Sequence, residues 1–293
     1  ELATKQSIWN ASHSIGAGLI SVICGFLLKH YGYSAWQLCF AVPAAIALVG
    51  AVALFFTLKD TPSSVGLPEI EDMDKDEKSE DKTSDASLAD NMSGKSFKSF
   101  VNRMVFANPL IWILAVSNFC IYVVRFTILD WGATFLTQYK GMEISTAGTV
   151  VAASELVGGI AGMLLAGWFT DKFMKSRAHR TCFICTVGAT LSFFLFWKSP
   201  AGMPWLSAIF ICLSSFFIYG PQALLGTSAS QQATKHACAT ANGILGIFGY
   251  ASTAISGVTF GYLAEHFGWD SVFLVSVIIG LVGAAVVAFM WKA

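Results

Sequence analysis

Eight long apolar segments separated by short turns leave this 293-residue chain few kinds of fold to adopt. A helix needs roughly 20 consecutive apolar residues to span the hydrocarbon core of a bilayer. The short connections carry turn signals, as at Lys140-Gly141 and Ser199-Pro200. The sequence therefore predicts an all-α membrane protein with eight transmembrane helices, at about residues 7–28, 35–58, 108–138, 146–169, 181–197, 204–227, 237–263 and 270–291.

Charged residues are scarce and unevenly placed. Asp, Glu, Lys and Arg make up 12% of the chain, whereas they usually account for about a quarter of a globular domain. Half of them fall between positions 58 and 107, which leaves the apolar segments nearly free of charge. This distribution excludes a water-soluble globule and predicts the lipid bilayer as a partner. The formal net charge of +0 gives no reason to expect nucleic acid as a partner.

The charge-rich stretch divides the chain into three parts. Residues 1–58 contain the first two apolar segments, residues 59–107 form a charged linker, and residues 108–293 contain the other six segments. The centre of the linker, residues 72–90, is rich in Asp, Lys and Ser and nearly free of aromatic residues. Because such a segment buries little apolar surface, we expect the centre to be disordered and the whole linker, residues 59–107, to make few packed contacts.

The Lys and Arg residues predict how the chain is oriented in the membrane. Fourteen of them fall at the termini, in the linker and in the loops of one side, and only Lys29, Lys140 and Lys198 fall on the other side. Short loops rich in Lys and Arg stay in the cytoplasm. The linker and both termini are therefore predicted to be cytoplasmic.

The two ends of the chain resemble each other. Residues 29–33 (Lys-His-Tyr-Gly-Tyr) are similar to residues 265–269 (Glu-His-Phe-Gly-Trp), and residues 46–51 are similar to residues 279–284. These matches pair the first two apolar segments with the last two, which gives a repeat of six helices. Two such repeats make twelve helices, so we expect four further helices before the first residue. Transporters built from repeats hold their substrate near the bilayer midplane, between the halves.

Four titratable side chains fall inside the apolar segments: His13, Arg125, Asp130 and Glu155. A charge at the bilayer centre costs roughly 2.5–3.5 kcal/mol on insertion scales, so it usually faces a cavity or a partner. Arg125 is favoured as an anion-binding group, because its guanidinium is always charged and matches phosphate or carboxylate through two parallel bonds. The alternative is an internal ion pair with Asp130 or Glu155, of which Asp130 is the poorer direct partner because five residues place it about 140° around the same helix. Those two carboxylates are interpreted as structural or gating ion-pair partners, with proton carriage as the alternative.

One histidine and three tyrosines complete the set of candidate site residues. His13 can donate to a phosphate oxygen, although a hydrogen-bonded packing histidine fits the pattern equally well. The repeat aligns His13 with Gly249, the residue next to Tyr250, on the matching helix of the other half. This correspondence favours a functional role for His13. Tyr122 lies three residues before Arg125 and shares its helix face. Tyr219 either lines a cavity or lies at the membrane interface.

Other patterns indicate no further chemistry. Cys182-x-x-Cys185 lies in an apolar run without a second pair or a His partner, so it is interpreted as two small helix residues rather than a redox or metal pair. The sequence contains no Walker loop, zinc motif or nucleophile triad. It therefore predicts no cofactor and no enzymatic activity, and it argues against an ATP-driven pump.

Several motifs resemble those of a known family. Residues 167–172 (Gly-Trp-Phe-Thr-Asp-Lys), followed by basic residues, resemble the cytoplasmic loop motif of the major facilitator superfamily. The stretches that resemble the organophosphate:phosphate antiporters of that superfamily are residues 9–13, 60–68, 122–125, 129–131 and 219–222. The resemblance covers essentially the whole chain. It implies a major-facilitator-type helical bundle in which the eight helices match family helices five to twelve.

The resemblance also implies a function and a site. Members of this family exchange a phosphorylated metabolite for inorganic phosphate by alternating access. An Arg of family helix seven and a His of family helix five help to hold the phosphate, and they match Arg125 and His13. A second phosphate-binding Arg, from family helix one, has no counterpart in this chain. Tyr122, Tyr219 and Tyr250 match aromatic positions that line the family's cavity.

The substrate and the mode of action stay open at this point. Residues 130–132, 135–136 and 220–222 resemble the hexose-phosphate sensor branch, whereas residues 129–131 also fit glycerol-3-phosphate carriers. Asn242 and Leu245 stand where some hexose-phosphate carriers have Asp and Lys. We favour hexose phosphate, with glycerol 3-phosphate transport, or a membrane receptor that binds hexose phosphate and signals through a partner, as alternatives. The resemblance implies a multi-pass protein of the bacterial inner membrane.

Overall fold

The computed structural model describes residues 2–59, 62–66, 94–175, 177–233 and 237–291. Within these ranges the chain is built from helices and has no strand. The α-helices are α1 (Leu2–Tyr31), α2 (Leu38–Thr57), α3 (Gly94–Val101), α4 (Pro109–Gln138), α5 (Ile144–Ala153), α6 (Gly159–Phe173), α7 (Ala178–Lys198), α8 (Pro204–Gln232), α9 (Cys238–Phe267) and α10 (Trp269–Ala288).

Eight stretches in the described part of the chain are long and apolar enough to cross a membrane. Seven of them correspond to single helices, and the eighth, Ile144–Phe173, joins α5 to α6 through a π-helical turn over Ser154–Gly158. The ends differ from the expected segments by a few residues. The second span, for example, begins at Leu38 because a short 3₁₀ turn over Tyr33–Ala35 precedes it. The prediction of an all-α membrane protein with eight transmembrane helices is confirmed.

Local sequence signals set where the helices begin and end. The side chain of Asn108 accepts a hydrogen bond from the Leu110 backbone N–H at 3.0 Å, and Pro109 follows at the first helical position, where its missing N–H costs nothing. Gly32 and Gly268 end α1 and α9 with φ angles of 81° and 78°. Glycine alone adopts such angles without strain. These two glycines occupy matching positions in the proposed repeat, and the duplication itself stays a prediction.

The last part of the predicted linker is folded. Residues 94–106 form α3 and a following π-helical turn, Asn102–Phe106. Phe100 and Val105 are buried in the core, at 5% and 0% exposure. Our expectation that the whole of residues 59–107 packs little is wrong here, because apolar side chains recur at helical spacing near the end of this stretch. The predicted disordered centre, residues 72–90, lies outside the described residues.

The chain divides into two compact units, of which residues 19–91 form the smaller one. In this unit none of the α2 residues is buried, and Phe55 and Phe56 are 83% and 73% exposed. The thiols of Cys24 and Cys39 each lie near the other residue's carbonyl oxygen, at 3.6 and 3.9 Å. The apolar surface of α2 suits the hydrocarbon of a bilayer rather than water.

Residues 1–18 and 92–293 form the larger unit. Its helix α8 packs against α7, α6 and α4, while α9 and α10 pack against α4. The rings of Phe135 on α4, Phe193 and Phe196 on α7, and Phe273 on α10 meet in one cluster, with the Phe135 and Phe273 centroids 4.2 Å apart. Because α4 has neighbours on several sides, the middle of this helix lies inside the unit.

Helix α6 approaches α8 closely at Gly162. A Cβ atom at this position would lie 2.1 Å from the carbonyl oxygen of Phe216 on α8. That separation is far below van der Waals contact, and the obstacle is backbone rather than a flexible side chain. Only glycine therefore allows these two helices to touch, as small residues commonly do in membrane bundles.

We expect Gly162→Ala to destabilise the protein by about 1–3 kcal/mol, because the added methyl group forces α6 away from α8. The matched control is Gly148→Ala on α5, where a Cβ would meet no atom within 4 Å. This control should be neutral or slightly stabilising, since Ala favours helix over Gly by about 0.5–1 kcal/mol. Melting temperatures of the detergent-solubilised variants test the difference. Equal melting temperatures for the two variants would contradict the close approach.

Candidate functional site

Arg125 lies near the middle of α4 and is buried by the surrounding helices, with 6% of the residue exposed. Aromatic rings surround its guanidinium group. The guanidinium carbon is 5.0 Å from the ring centroid of Tyr219, 5.3 Å from that of Phe126 and 5.6 Å from that of Tyr122. Its Nε atom has no hydrogen-bond partner among the described residues. The always-charged side chain therefore lies inside the bundle rather than toward lipid.

One nitrogen of this guanidinium makes three polar contacts. Arg125 Nη2 donates to the Tyr219 hydroxyl at 3.1 Å, lies 3.3 Å from His13 Nε2, and is 3.9 Å from Glu155 Oε2. The Tyr219 hydroxyl donates in turn to Glu155 Oε2. Because a guanidinium has no acceptor, His13 Nε2 must accept the bond. This geometry therefore requires a neutral His13 with its proton on Nδ1.

Glu155 reaches this network from a local distortion of its helix. The residue lies in the π-helical turn Ser154–Gly158 and is 5% exposed. A π-helical turn inserts one extra residue into the helix and rotates the side chains that follow, and such turns are frequent at functional sites. The ionic partner of Arg125 is therefore Glu155, on a different span, and not Asp130 on the same helix.

Tyr219 is fully buried on α8, with 0% exposure. Its hydroxyl accepts from Arg125 and donates to Glu155, so it connects the cation to the carboxylate. This burial does not favour a position at the membrane interface, where a tyrosine keeps its hydroxyl in water, and Tyr219 is also not among the residues that line the neighbouring cleft. The sequence could not show this, because position along a helix does not specify which neighbour the side chain meets.

A polar cleft of about 230 Å³ lies beside this network. That volume holds several water molecules or a small anion, since a water molecule occupies about 30 Å³ of the liquid. The rings of Tyr122 and Tyr250 are 6.2 Å apart in its wall. The lining residues come from four helices, α1, α4, α8 and α9: Trp9, Asn10, Ser12, His13, Tyr122, Gln222 and Tyr250.

Asp130 is not part of this network. The residue is exposed, and no hydrogen bond or ion pair joins it to any residue in the ranges that the structure describes. It lies five residues after Arg125 on α4, which turns it about 140° away around the helix. Its role as a gating ion-pair partner stays a prediction.

The two positions that depart from the hexose-phosphate carriers have local structural roles. The Asn242 amide donates to the Ser230 hydroxyl at 2.9 Å and to the Cys238 carbonyl at 3.0 Å, which ties α9 to α8. Leu245 is buried, and its carbonyl accepts a hydrogen bond from Asn118 at 2.7 Å. Neither side chain lines the cleft.

A second polar cluster lies outside the membrane spans, just after α4. Lys140 is buried there, and its Nζ donates to the carbonyl oxygens of Trp197, at 3.1 Å, and of Ser199. Burial lowers the pKa of Lys140, and the nearby Lys198 lowers it further, while Asp270 opposes the shift. Burial and the Asp270 charge raise the pKa of Tyr139. Because Lys140 follows Arg125 by 15 residues, about 22 Å of helix length separates the two sites.

The sequence pointed to some lining residues only indirectly. Trp9, Asn10 and Ser12 belong to the stretch 9–13 that carries the family resemblance, but only His13 of that stretch was singled out as a site residue. Gln222 similarly follows Tyr219 in the stretch 219–222. The available signal was their spacing, since residues three and four apart share a helix face.

A cation buried inside a bundle of membrane helices usually faces a cavity or a partner, and Arg125 has both the cleft and Glu155 beside it. The comparison with protein families identifies the class of protein. Residues 1–257 match the Major Facilitator Superfamily. The chain belongs to that superfamily.

Three curated relatives define the similarity more closely. The chain is 31% identical to the "Probable hexose phosphate transport protein" of Chlamydia trachomatis and 31% identical to the glycerol-3-phosphate transporter of Bacillus subtilis, in each case over 100% of this chain and 64% of the relative. It is 30% identical to the membrane sensor protein UhpC of Salmonella typhimurium, over 92% of this chain and 59% of that protein. These matches confirm the resemblance to the organophosphate:phosphate antiporters. The chain spans less than two thirds of the length of these relatives.

Proposed function

We propose that the full-length protein exchanges a phosphorylated metabolite, with hexose phosphate favoured, for inorganic phosphate by alternating access. The observation that carries the proposal is the buried Arg125, which lies beside a polar cleft and whose Nε atom has no hydrogen-bond partner among the described residues. The names of the relatives support a phosphorylated substrate, since they refer to hexose phosphate and glycerol 3-phosphate. Alternating access would expose this site to each side of the membrane in turn.

In this proposal the phosphate group binds Arg125 and His13. A guanidinium carries five N–H donors, and the contacts seen in the structure involve Nη2. Its remaining donors suit the oxygens of a phosphate, which accept parallel bonds from a planar fork. His13 would donate to a phosphate oxygen after changing its tautomer or gaining a proton. Tyr122 and Tyr250, which line the cleft, would contact the substrate, whereas the buried Tyr219 would act through its hydrogen bond with Arg125.

Glu155 would act as the counter-ion of Arg125 when no substrate is bound. A buried guanidinium needs a negative partner, and Glu155 supplies one, with its Oε2 atom 3.9 Å from Nη2 and also bonded by the Tyr219 hydroxyl. A phosphate dianion that enters the cleft competes with this carboxylate for the same guanidinium. Arg125 would then have a negative partner both with and without the substrate.

The transport proposal is tested with the full-length protein in liposomes loaded with inorganic phosphate. We expect uptake of radiolabelled glucose 6-phosphate, and we expect this uptake to stop when the liposomes contain chloride instead of phosphate. The export of one phosphate in exchange is measured in the same vesicles. Uptake that does not depend on internal phosphate would refute the exchange, and an absence of uptake together with tight binding would indicate a receptor.

The receptor remains the second candidate because one relative is named a membrane sensor protein. A receptor would use the same anion site but would couple it to a partner protein rather than to movement of the substrate. Binding without uptake, combined with substrate-dependent association with such a partner, is the result that would favour this alternative.

We further propose that the linker and both termini face the cytoplasm of a bacterium, with the helices in the inner membrane. The fourteen-to-three distribution of Lys and Arg supports this orientation. A cysteine introduced by Ser84→Cys, in the part of the linker outside the described residues, should react with a membrane-impermeant maleimide only after the cells are permeabilised. The control is Ser34→Cys, in the turn between α1 and α2, which should react in intact cells. The opposite labelling pattern would reverse the orientation.

A further inference from the structure

Gln222 carries a side-chain amide and lines the cleft. The residue follows Pro221 on α8 and is partly buried. Its Oε1 atom is buried and has no hydrogen-bond partner among the described residues. Buried polar atoms in folded proteins nearly always have a partner, so an exception calls for a ligand or an ordered water molecule. A side-chain amide offers that ligand both a donor and an acceptor.

The amide lies one helical turn from the anion site. Tyr219, which accepts from Arg125, and Gln222 are three residues apart on α8 and share a helix face. The rise of 1.5 Å per residue separates them by about 4.5 Å along the helix axis. A phosphate bound at Arg125 would therefore carry its organic group along α8 toward Gln222. That distance corresponds to the first few carbon atoms after the phosphate ester.

Aromatic side chains line the cleft together with this amide. Trp9 on α1 and Tyr250 on α9 both line the cleft. The ring of Tyr122 lies against that of Tyr250. Aromatic faces pack well against the C–H face of a sugar ring, while a nearby amide takes the hydroxyl groups on its edge. A glycerol group has no ring and would leave these faces uncovered.

We infer that Gln222 and the aromatic residues Trp9 and Tyr250 form a hydroxyl-recognition subsite for the sugar ring of a hexose phosphate. In this arrangement Arg125 holds the phosphate, the aromatic rings cover one face of the sugar, and the Gln222 amide bonds a ring hydroxyl. The inference rests on the proposed function, because Arg125 must bind the phosphate group for the ring to reach Gln222. It adds a specificity-determining residue to that site.

The test measures whether Gln222 senses individual hydroxyl groups. Binding of glucose 6-phosphate and of its monodeoxy analogues is compared in the purified full-length protein, using wild type, Gln222→Met, Gln222→Asn and Gln231→Met. The Met variant keeps the length of the side chain without an amide, and the Asn variant keeps an amide but withdraws it by one methylene group. Gln231 is an exposed residue near the end of the same helix and does not line the cleft, so Gln231→Met is the matched control.

We expect wild type and Gln231→Met to bind at least one monodeoxy analogue about tenfold more weakly than glucose 6-phosphate, which is the effect of one lost hydrogen bond. Both Gln222 variants should lose this discrimination, and their affinity for glucose 6-phosphate relative to inorganic phosphate should fall about tenfold. Such coupling between a ligand group and a side chain is what a double-mutant cycle detects.

Two results would overturn the inference while leaving the proposed function intact. One is a Gln222 variant that discriminates among the analogues as wild type does. The other is a parallel loss of affinity for glucose 6-phosphate and for inorganic phosphate, because that result indicates a structural role. If the wild-type protein binds inorganic phosphate and no organophosphate, the proposed function fails and the inference fails with it.

Discussion

Replacing Arg125 with Lys in the full-length protein is expected to weaken phosphate and organophosphate binding by about tenfold to hundredfold. Lysine keeps the positive charge but replaces a planar fork with a single ammonium group, so parallel bonds to two phosphate oxygens are lost. One hydrogen bond to a charged group contributes about 1.5–3 kcal/mol, which corresponds to this range of affinity. The variant should still insert and fold, because the charge opposite Glu155 is retained. Isothermal titration with inorganic phosphate measures the effect.

The control for this substitution is Arg103→Lys, at an exposed position in the π-helical turn after α3. It makes the same chemical change away from the cleft and should leave phosphate affinity within about twofold of the wild-type value. If Arg125→Lys binds phosphate as tightly as wild type, Arg125 serves only as the ion-pair partner of Glu155. The anion-site assignment would then have to be abandoned.

Replacing Glu155 with Gln is expected to produce opposite effects on binding and on stability. The variant leaves Arg125 buried without its negative partner, and breaking a buried ion pair in this way costs about 3–5 kcal/mol. Because the competing carboxylate is gone, phosphate should bind at least tenfold more tightly. Added phosphate should also raise the melting temperature of this variant more than that of wild type. Exchange should be slower, since a tightly held anion leaves slowly.

Thermal unfolding with increasing phosphate concentration distinguishes this prediction from a simple packing defect. The comparison variant is Glu265→Gln, which removes a carboxylate from an exposed position near the end of α9. That change should alter neither the melting temperature nor the phosphate response. A Glu155→Gln protein that is destabilised and gains nothing from phosphate would show that Glu155 does not compete with an anion for Arg125.

The number of spans could be predicted from the sequence because hydrophobic length is a local property. Each membrane helix must satisfy its own backbone hydrogen bonds, so a long apolar run predicts a span without any knowledge of its neighbours. The folded end of the linker, residues 94–106, was missed because its burial is not a local property. The apolar residues of 94–106 are few, and their burial depends on contact with a core formed elsewhere in the chain. Composition alone does not report such contacts.

The sequence identified most of the residues of the candidate site, but not which of them contact one another. The energetic cost of a buried charge singled out Arg125 and Glu155, since both lie within apolar segments. Helical spacing already made Asp130 the poorer of two partners for Arg125, and the structure pairs Arg125 with Glu155. The π-helical turn at Ser154–Gly158 contributes to this choice, because it changes the rotation of the helix that carries Glu155. Helical periodicity read from the sequence assumes a regular helix.

The membrane class, the eight spans and the residues that resemble a phosphate-binding family follow from the amino-acid sequence. Those properties depend on residue types and on spacing within one segment. The packing of the helices, by contrast, joins Arg125 to Glu155 through Tyr219 and brings His13 of α1 to the same guanidinium. It also leaves the Oε1 atom of Gln222 without a hydrogen-bond partner among the described residues. The physical reason is that these contacts join different helices, whose rotation and depth follow from packing such as that of Gly162 against Phe216.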